Sequence, residues 1–354
     1  MPAISVVMPV YNTEKYVAKA IECILNQTFR DYEFLIIDNG CTDGSSRIIQ
    51  EYAAKDSRIR VLRNEENVFI ALARNMAMDQ CTGEYLYLID SDDTAELDML
   101  EKMYAAAKRT DAQYVVAGYY MEYYQQGIAA SYENRPDEHF YNQAEFRANA
   151  AKYLTRTLLT VPWNKLYSLQ YIREHNIRFR NTKLEDHHFN MDFIYDVERV
   201  YIMGESFYHY NRSRPGTDSQ EVYHKFLNQK KREHFRHTMD VFAHWGVNDP
   251  QTINTLYVYQ AGRLVECVAE TVCNPTFTPE QRDSELELIL TDPMTLTIMR
   301  DVRPDSLALQ ICILPLKWKC RWLCFLMGHT IGFAKKHFSY LFYKIRSWVA
   351  QKAR

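Results

Sequence analysis

Apolar and polar positions repeat with two different periods along the first 120 residues. Ile4-Ser5-Val6-Val7-Met8, Phe34-Leu35-Ile36-Ile37, Ile59-Arg60-Val61-Leu62 and Tyr85-Leu86-Tyr87-Leu88-Ile89 are short runs rich in β-branched and aromatic residues, which predict strands, the second and fourth of them buried. Between the first two, Val17, Ala20, Ile21, Ile24 and Leu25 recur at helical spacing within 14–27, and Ile48, Ile49 and Tyr52 mark a helix in the next interval. Asn67 opens a third intervening segment that holds Ala71, Arg74 and Asn75. Strands alternating with helices predict an α/β fold, a doubly wound and mostly parallel sheet with its ligand site at the carboxyl ends of the strands. From about Val222 the pattern turns wholly helical, near 222–245, 250–270 and 279–291, with Asn248-Asp249-Pro250 and Asn274-Pro275 as turns.

The predicted strand ends are where the chemistry collects. Asp90-Ser91-Asp92-Asp93 directly follows the fourth strand. Clustered carboxylates repel, so such a group calls for a cation or a donor-rich ligand. A hard divalent metal shared with a diphosphate meets that need. The competing reading is an acidic loop that caps a helix beginning near Glu96. Further on, Glu185-Asp186 precedes a segment in which Phe189, Phe193 and Val197 share one face, which places the pair at a helix N-terminus. His187 and His188 are neighbours on that helix and point about 100° apart, so one ion would not take both. His234 and His237 lack companions at zinc-site spacing.

Charge and composition narrow the class. A net charge of −3 over 354 residues argues against a nucleic-acid binder. Eight cysteines without a CxxC pair or a secretory signal suggest reduced thiols and a cytoplasmic location. The charge is uneven, however. No acidic residue follows Asp305, yet nine Lys or Arg do (Lys317, Lys319, Arg321, Lys335, Lys336, Lys344, Arg346, Lys352 and Arg354), interleaved with Trp318, Trp322, Phe325, Leu326, Phe333 and Trp348. The longest uncharged stretch there, 322–334, falls short of the ~20 apolar residues a spanning helix needs. Basic residues mixed with aromatics suit a peripheral segment on the anionic inner face of a membrane. An ordinary helical cap is the plain alternative, and a nucleic-acid contact a weaker one.

The order Pro9-Val10-Tyr11-Asn12, Asp38-Asn39-Gly40-Cys41-Thr42-Asp43-Gly44-Ser45, Ala73-Arg74-Asn75 and Asp90-Ser91-Asp92-Asp93 resembles the family 2 glycosyltransferases with the GT-A fold. Trp163-Asn164-Lys165-Leu166-Tyr167, Leu184-Glu185-Asp186-His187-His188-Phe189 and Tyr208-His209-Tyr210-Asn211-Arg212 continue the likeness to about residue 218. The resemblance implies a catalytic domain over 1–218, with 1–120 binding a nucleotide-sugar and 121–218 on the acceptor side. A helical accessory region over 219–305 and a basic aromatic tail over 306–354 complete the chain. It implies inverting sugar transfer to a saccharide or lipid-linked acceptor, in the manner of bacterial surface-polysaccharide enzymes.

The same resemblance suggests roles for single residues. Asp92 is the metal carboxylate and Asp90 shares the metal or contacts ribose; Mn²⁺ and Mg²⁺ both suit oxygen ligands. Asp93 is an outer or acceptor-side group, or a helix cap. Pro9, Tyr11, Asn12, Asp38, Asn39 and Ser91 border the nucleotide, with Tyr11 offering a flat face to the base. Asn39 stands where the family usually has an acid; an amide answers uracil or cytosine, uracil being favoured. Arg74 meets phosphate or pairs with a site carboxylate, Arg212 is a phosphate candidate and His209 a weaker one. Trp163, Asn164 and Lys165 line the sugar pocket or belong to the core. Phe69 replaces a usual glycine and narrows the pocket, and Asp43 caps the next helix. Asp186 is the general base with Glu185 beside it. A nucleotidyltransferase and a non-catalytic membrane-bound subunit remain as rivals. The first lacks a triphosphate loop at Pro9–Asn12, and the chain has no GxGxxG for a dinucleotide.

Overall fold

The computed structural model describes residues 1–125, 128–182, 185–212 and 227–337, in two units, 1–220 and 221–354. In the first unit the chain runs β1 Ile4–Val10, α1 Val17–Leu25, β2 Tyr32–Asn39, α2 Ser45–Ala53, β3 Ile59–Asn64, α3 Ile70–Met78, β4 Tyr85–Leu88 and β5 Thr94–Ala95. It continues with α4 Met99–Thr110, β6 Tyr114–Gln125, β7 Ile128–Asn134, β8 His139–Asn142, α5 Gln143–Thr155, β9 Lys165–Ser168, α6 Leu169–Glu174, α7 Glu185–Ile194 and β10 Arg199–Asn211. The strands form one mixed, mostly parallel sheet in the order β3-β2-β1-β4-β9-β6-β10-β5. β1, β2, β3 and β4 are mutually parallel, as the alternation with helices requires. β9 enters antiparallel between β4 and β6 and joins this block to the parallel pair β6 and β10.

Every residue of β1, β2 and β4 is buried, which explains why they read as continuous apolar runs. Phe34, Tyr87, Tyr114 and Tyr167 of the sheet and Phe189 and Phe193 of α7 are fully enclosed. Asn190 on α7 accepts from the Tyr114 and Tyr167 hydroxyls, so the polar ends of these aromatics are satisfied within the core.

The second unit is helical: α8 Leu227–His244, α9 Pro250–Cys273, α10 Pro279–Thr291, α11 Pro293–Asp301, α12 Leu307–Cys312, α13 Leu314–Lys317 and α14 Arg321–His337. α9, α10 and α11 share one start signal, a capping side chain followed by proline at the first helical position. Asp249, Thr278 and Asp292 each accept from a backbone N–H of the first turn. Among the described residues no helix is long and apolar enough to cross a membrane. The stretch assigned by sequence to a separate tail begins with α12–α14, and α14 packs on α9. Gly328 and Gly332 face Val272 and Cys273 so closely that a Cβ at either would clash, and the Cys273 thiol donates to the Gly328 carbonyl at 3.3 Å. Residues 338–354 of that tail lie outside the described residues.

Candidate active site

The acidic turn hangs from β4 and is tied down from behind. The Asp93 N–H donates to the Asp90 carbonyl at 3.2 Å and closes the turn. The buried Asp93 carboxylate accepts from the Tyr208 hydroxyl at 2.6 Å and from the Asn211 N–H at 2.7 Å, and the Asp90 N–H donates to the same hydroxyl oxygen at 3.2 Å. Tyr208 stacks on Trp163 with centroids 4.2 Å apart. Burial, reinforced by the charges of Asp92 and Asp90, pushes the Asp93 carboxyl well above the usual range. Asp93 is therefore an anchor. The turn caps no helix: α4 starts at Met99 after Asp98, and β5 intervenes, pairing antiparallel with Tyr208 and His209 of β10. Asp90 and Asp92 stay partly open to solvent.

Arg74 gathers the other carboxylates. Its buried guanidinium donates through Nη2 to Asp90 at 3.0 Å, and through Nη1 to Glu185 at 3.0 Å and Asp186 at 2.5 Å. The Phe179 ring lies 5.1 Å from the guanidinium carbon. Next in sequence, Asn75 donates to the Phe179 carbonyl at 2.8 Å and accepts its N–H at 2.9 Å, so the Ala-Arg-Asn segment clamps the chain that precedes α7. Nothing in the sequence pattern singled out that clamp. Burial alone would loosen the Arg74 proton, but the three carboxylates, Asp186 foremost, outweigh it. One cation facing three carboxylates leaves excess negative charge in a poorly solvated place. Burial is accordingly the first cause that raises both acids of α7: Glu185 rises to about 8, and Asp186 rises too, against the pull of Arg74. About a third of the Asp186 side chain remains exposed, so it can still meet a ligand.

A second group sits at the ends of β1 and β2. Tyr11 is 41% exposed, a large aromatic face open at a strand end, directly after the buried Pro9 and Val10. Asn12 takes a left-handed backbone (φ 49°) and accepts the Thr42 N–H at 2.9 Å, which stitches the two loops together. Asp38 is buried and accepts the Cys41 N–H at 3.2 Å. The Asn39 amide donates to Asn67 Oδ1 and to the Val68 carbonyl, and its oxygen accepts from Asn64 and from the Val68 N–H. Its hydrogen-bonding capacity is spent on the 64–68 loop. Gly40 (φ +71°) passes that loop so closely that a Cβ would lie 2.4 Å from the Glu66 carbonyl carbon. Phe69, by contrast, is in ordinary extended backbone (φ −59°, ψ 139°) just before α3, so nothing in the main chain there demands glycine. Asp43 accepts from the Ser45 N–H at the start of α2 and from the Glu14 N–H, and these bonds hold its carboxyl below the usual range although burial opposes them.

The remaining candidates separate. Ser91 is buried in the acidic turn. Arg212 directly follows β10, with its N–H on the Glu122 carbonyl and its guanidinium over the Tyr210 ring. His209 is bracketed by Glu122 and Glu96 at 3.0 and 2.9 Å and stacks on Tyr120, at the edge of a cleft of about 400 Å³ that also touches Lys19, Glu22 and Asn26. Trp163, Asn164 and Lys165 belong to the core: Asn164 donates to the Ala117 carbonyl, and the fully buried Lys165 donates to Asn164 and Val161. Desolvation holds the Lys165 amine well below its ordinary range.

The donor set bears on a metal. Among the described residues no three His, Cys, Asp or Glu form a ready-made ion cage. Asp90 and Asp92 instead supply hard oxygen atoms from one turn, which fits a divalent cation completing its shell with substrate phosphates and water.

Comparison with known proteins defines the class. Residues 5–175, just under half of the chain, match the sequence profile described as glycosyl transferase family 2, so the chain carries a domain of that kind. It is 40% identical over 117 residues to the glycosyltransferase GlyG of Streptococcus pneumoniae, which is 33% of this chain and 39% of GlyG. It is 32% identical over 220 residues to EpsH of Bacillus subtilis, covering 59% of this chain and 60% of EpsH. The match to B. subtilis EpsJ, an uncharacterized glycosyltransferase, is weaker at 23% but spans 95% of this chain and 98% of EpsJ. These first two relatives are thus spanned only in part. Among solved structures, Staphylococcus aureus TarS in complex with UDP-GlcNAc superposes with a TM-score of 0.62 at 16% identity, over 94% of this chain and 91% of that one, which supports the GT-A fold.

Proposed function

We propose that this chain transfers a sugar from a nucleotide-diphosphate sugar to a saccharide hydroxyl, with inversion. The observation that carries the reading is the convergence of Asp90, Glu185 and Asp186 on Arg74. The turn that faces the donor diphosphate and the helix that carries the base are thereby held in one register.

In the transfer, the acceptor oxygen attacks the anomeric carbon from the face opposite the diphosphate. Its proton passes to Asp186, and the bond from the anomeric carbon to the diphosphate oxygen breaks. A carboxylate whose pKa burial raises is a better proton acceptor than an ordinary one. Arg74 sets the position of Asp186, and Glu185 shares the same guanidinium. Asp92 and Asp90 would hold Mn²⁺ or Mg²⁺; bound there, the ion supplies charge stabilisation to the leaving diphosphate. Tyr11 gives the base a stacking face, and Asp38 a carboxylate for a uracil N–H, which keeps uridine the favoured nucleotide. Asn39 serves the site by holding the 64–68 loop. Arg212, directly after β10, is assigned to the phosphates. The acceptor is assigned as a lipid-linked saccharide of a surface polysaccharide, presented at the cytoplasmic face of a membrane.

A panel of nucleotide-sugars, assayed for donor hydrolysis with and without Mn²⁺, tests this reading. Metal-dependent release of a nucleoside diphosphate from one donor supports it. Release of pyrophosphate from a nucleoside triphosphate would favour a nucleotidyltransferase, and inertness toward every donor a non-catalytic subunit.

A further inference from the structure

Thirteen large apolar side chains are exposed among the described residues, and six of them fall within 307–333. Leu307 (70% exposed) and Ile311 lie on α12, a helix that buries none of its residues; Trp318 follows α13; Trp322 (69%), Leu326 and Phe333 lie on α14. Isolated exposed apolar residues are ordinary, but a concentration of this kind marks a contact surface. On α14 the arrangement is specific. At 100° per residue, Trp322, Leu326 and Phe333 fall within roughly 40° of one another, about 120° around the helix from Gly328 and Gly332, which face α9. The helix therefore has one face packed against its own unit and a separate aromatic face turned outward.

We propose that this outward face of α12–α14 docks on an anionic lipid surface. Two features select that partner. Lys317 and Lys319 lie in the same stretch, beside Arg321, which pairs with Asp283 at 3.0 Å, and no acidic residue occurs anywhere after Asp305. Tryptophans among apolar residues and flanking basic groups match an interfacial helix with its rings at headgroup level. A symmetric dimer through the same face would bring two copies of this acid-free, nine-cation segment together, whereas anionic headgroups neutralise it. Docking here rests on the glycosyltransferase reading only in giving the lipid-linked acceptor a reason to be near; the surface stands or falls by itself.

The test uses the full chain with sucrose-loaded vesicles of phosphatidylglycerol and phosphatidylcholine, and with pure phosphatidylcholine. The protein should sediment with the anionic vesicles at low salt, with its tryptophan emission shifted to the blue, and release at high salt. Trp322→Ser, Leu326→Ser and Phe333→Ser together should lower partitioning by about tenfold or more while the thermal midpoint and donor hydrolysis are kept, because all three side chains are exposed. Four results would overturn the proposal: wild-type protein that ignores anionic vesicles, a triple variant that binds as well as wild type, equal binding to neutral vesicles at every salt concentration, or a wild-type dimer that the triple variant dissociates. Full loss on neutralising Lys344, Arg346 and Lys352 with no effect of the triple variant would place the contact in the last residues and equally overturn it. Donor hydrolysis is measured without lipid, so failure of the enzyme reading and failure of the docking face are read separately.

Discussion

The two units break the inside–outside rule in opposite directions. In the first, carboxylates are drawn in: Asp93 is buried against Tyr208, and Glu185 and Asp186 crowd with Asp90 around Arg74. In the second, tryptophan, leucine and phenylalanine are turned out along α12–α14. Both arrangements cost folding free energy, through desolvated charge in one and hydrated apolar surface in the other. A structure keeps such costs where a ligand relieves them. On the readings proposed above, the acidic group would be relieved by a divalent cation and a donor diphosphate, and the exposed aromatics by a lipid surface. In each unit the residues that look misplaced for a folded chain are the ones that point to function.

Replacing Asp186 by Asn tests the first half of that contrast hardest. Transfer should fall roughly 10³-fold while nucleotide affinity by calorimetry is kept, since only the proton acceptor is lost. Unchanged kinetics would remove Asp186 from the chemistry.

Arg74→Met probes the cost itself. It leaves three carboxylates facing one another without their cation, and should lower stability by about 3 kcal/mol, read as a reduced denaturation midpoint. A midpoint equal to wild type would mean the cluster carries no strain for Arg74 to relieve.

Asp92→Ala should reduce metal-dependent donor turnover by on the order of 10²-fold with little change in melting, because the side chain is partly exposed. Full activity, or equal activity in excess chelator, would sink the metal assignment.

The last test concerns protons. Glu185 has its pKa raised to about 8, so between pH 5 and 8 the unfolded chain releases a proton that the folded one keeps. Folding stability should therefore decline as pH rises through that window, and Glu185→Gln should flatten the slope in thermal melts. A slope that persists in the variant would assign the dependence to other groups.

Much of the first unit was legible because its signals are local. Short runs of apolar residues marked β1, β2, β3 and β4, and the acid pair was placed correctly at the start of α7. The helix boundaries of the second unit followed from Asp249-Pro250 and nearby turns, although α11 went unnoticed because its nine residues lack a long apolar stripe. The mixed half of the sheet was less readable. β9 has four residues and is defined by its partners on both sides rather than by its own pattern. At the site, residue types were readable and their partners were not: Asn39 read as a base contact and spends its amide on a loop, and Asp93, open between an outer or acceptor-side group and a helix cap, is a buried anchor. That the first part of the tail packs on α9 was not readable, because its glycines gave no sign of what they would pack against.

The sequence by itself determined which segments are strands and helices, where turns interrupt them, and the order of acidic and amide groups at the strand ends. Those are properties of neighbours along the chain, set by side-chain periodicity and capping. Only the tertiary structure decided that Arg74 meets an acid 16 residues away and two more at 111 and 112, that Tyr208 turns Asp93 inward, and that α14 lays its glycines on α9 while leaving its aromatics outside. Such pairings depend on how whole elements pack, and the energy that selects them is spread over the core rather than written in the residues that meet.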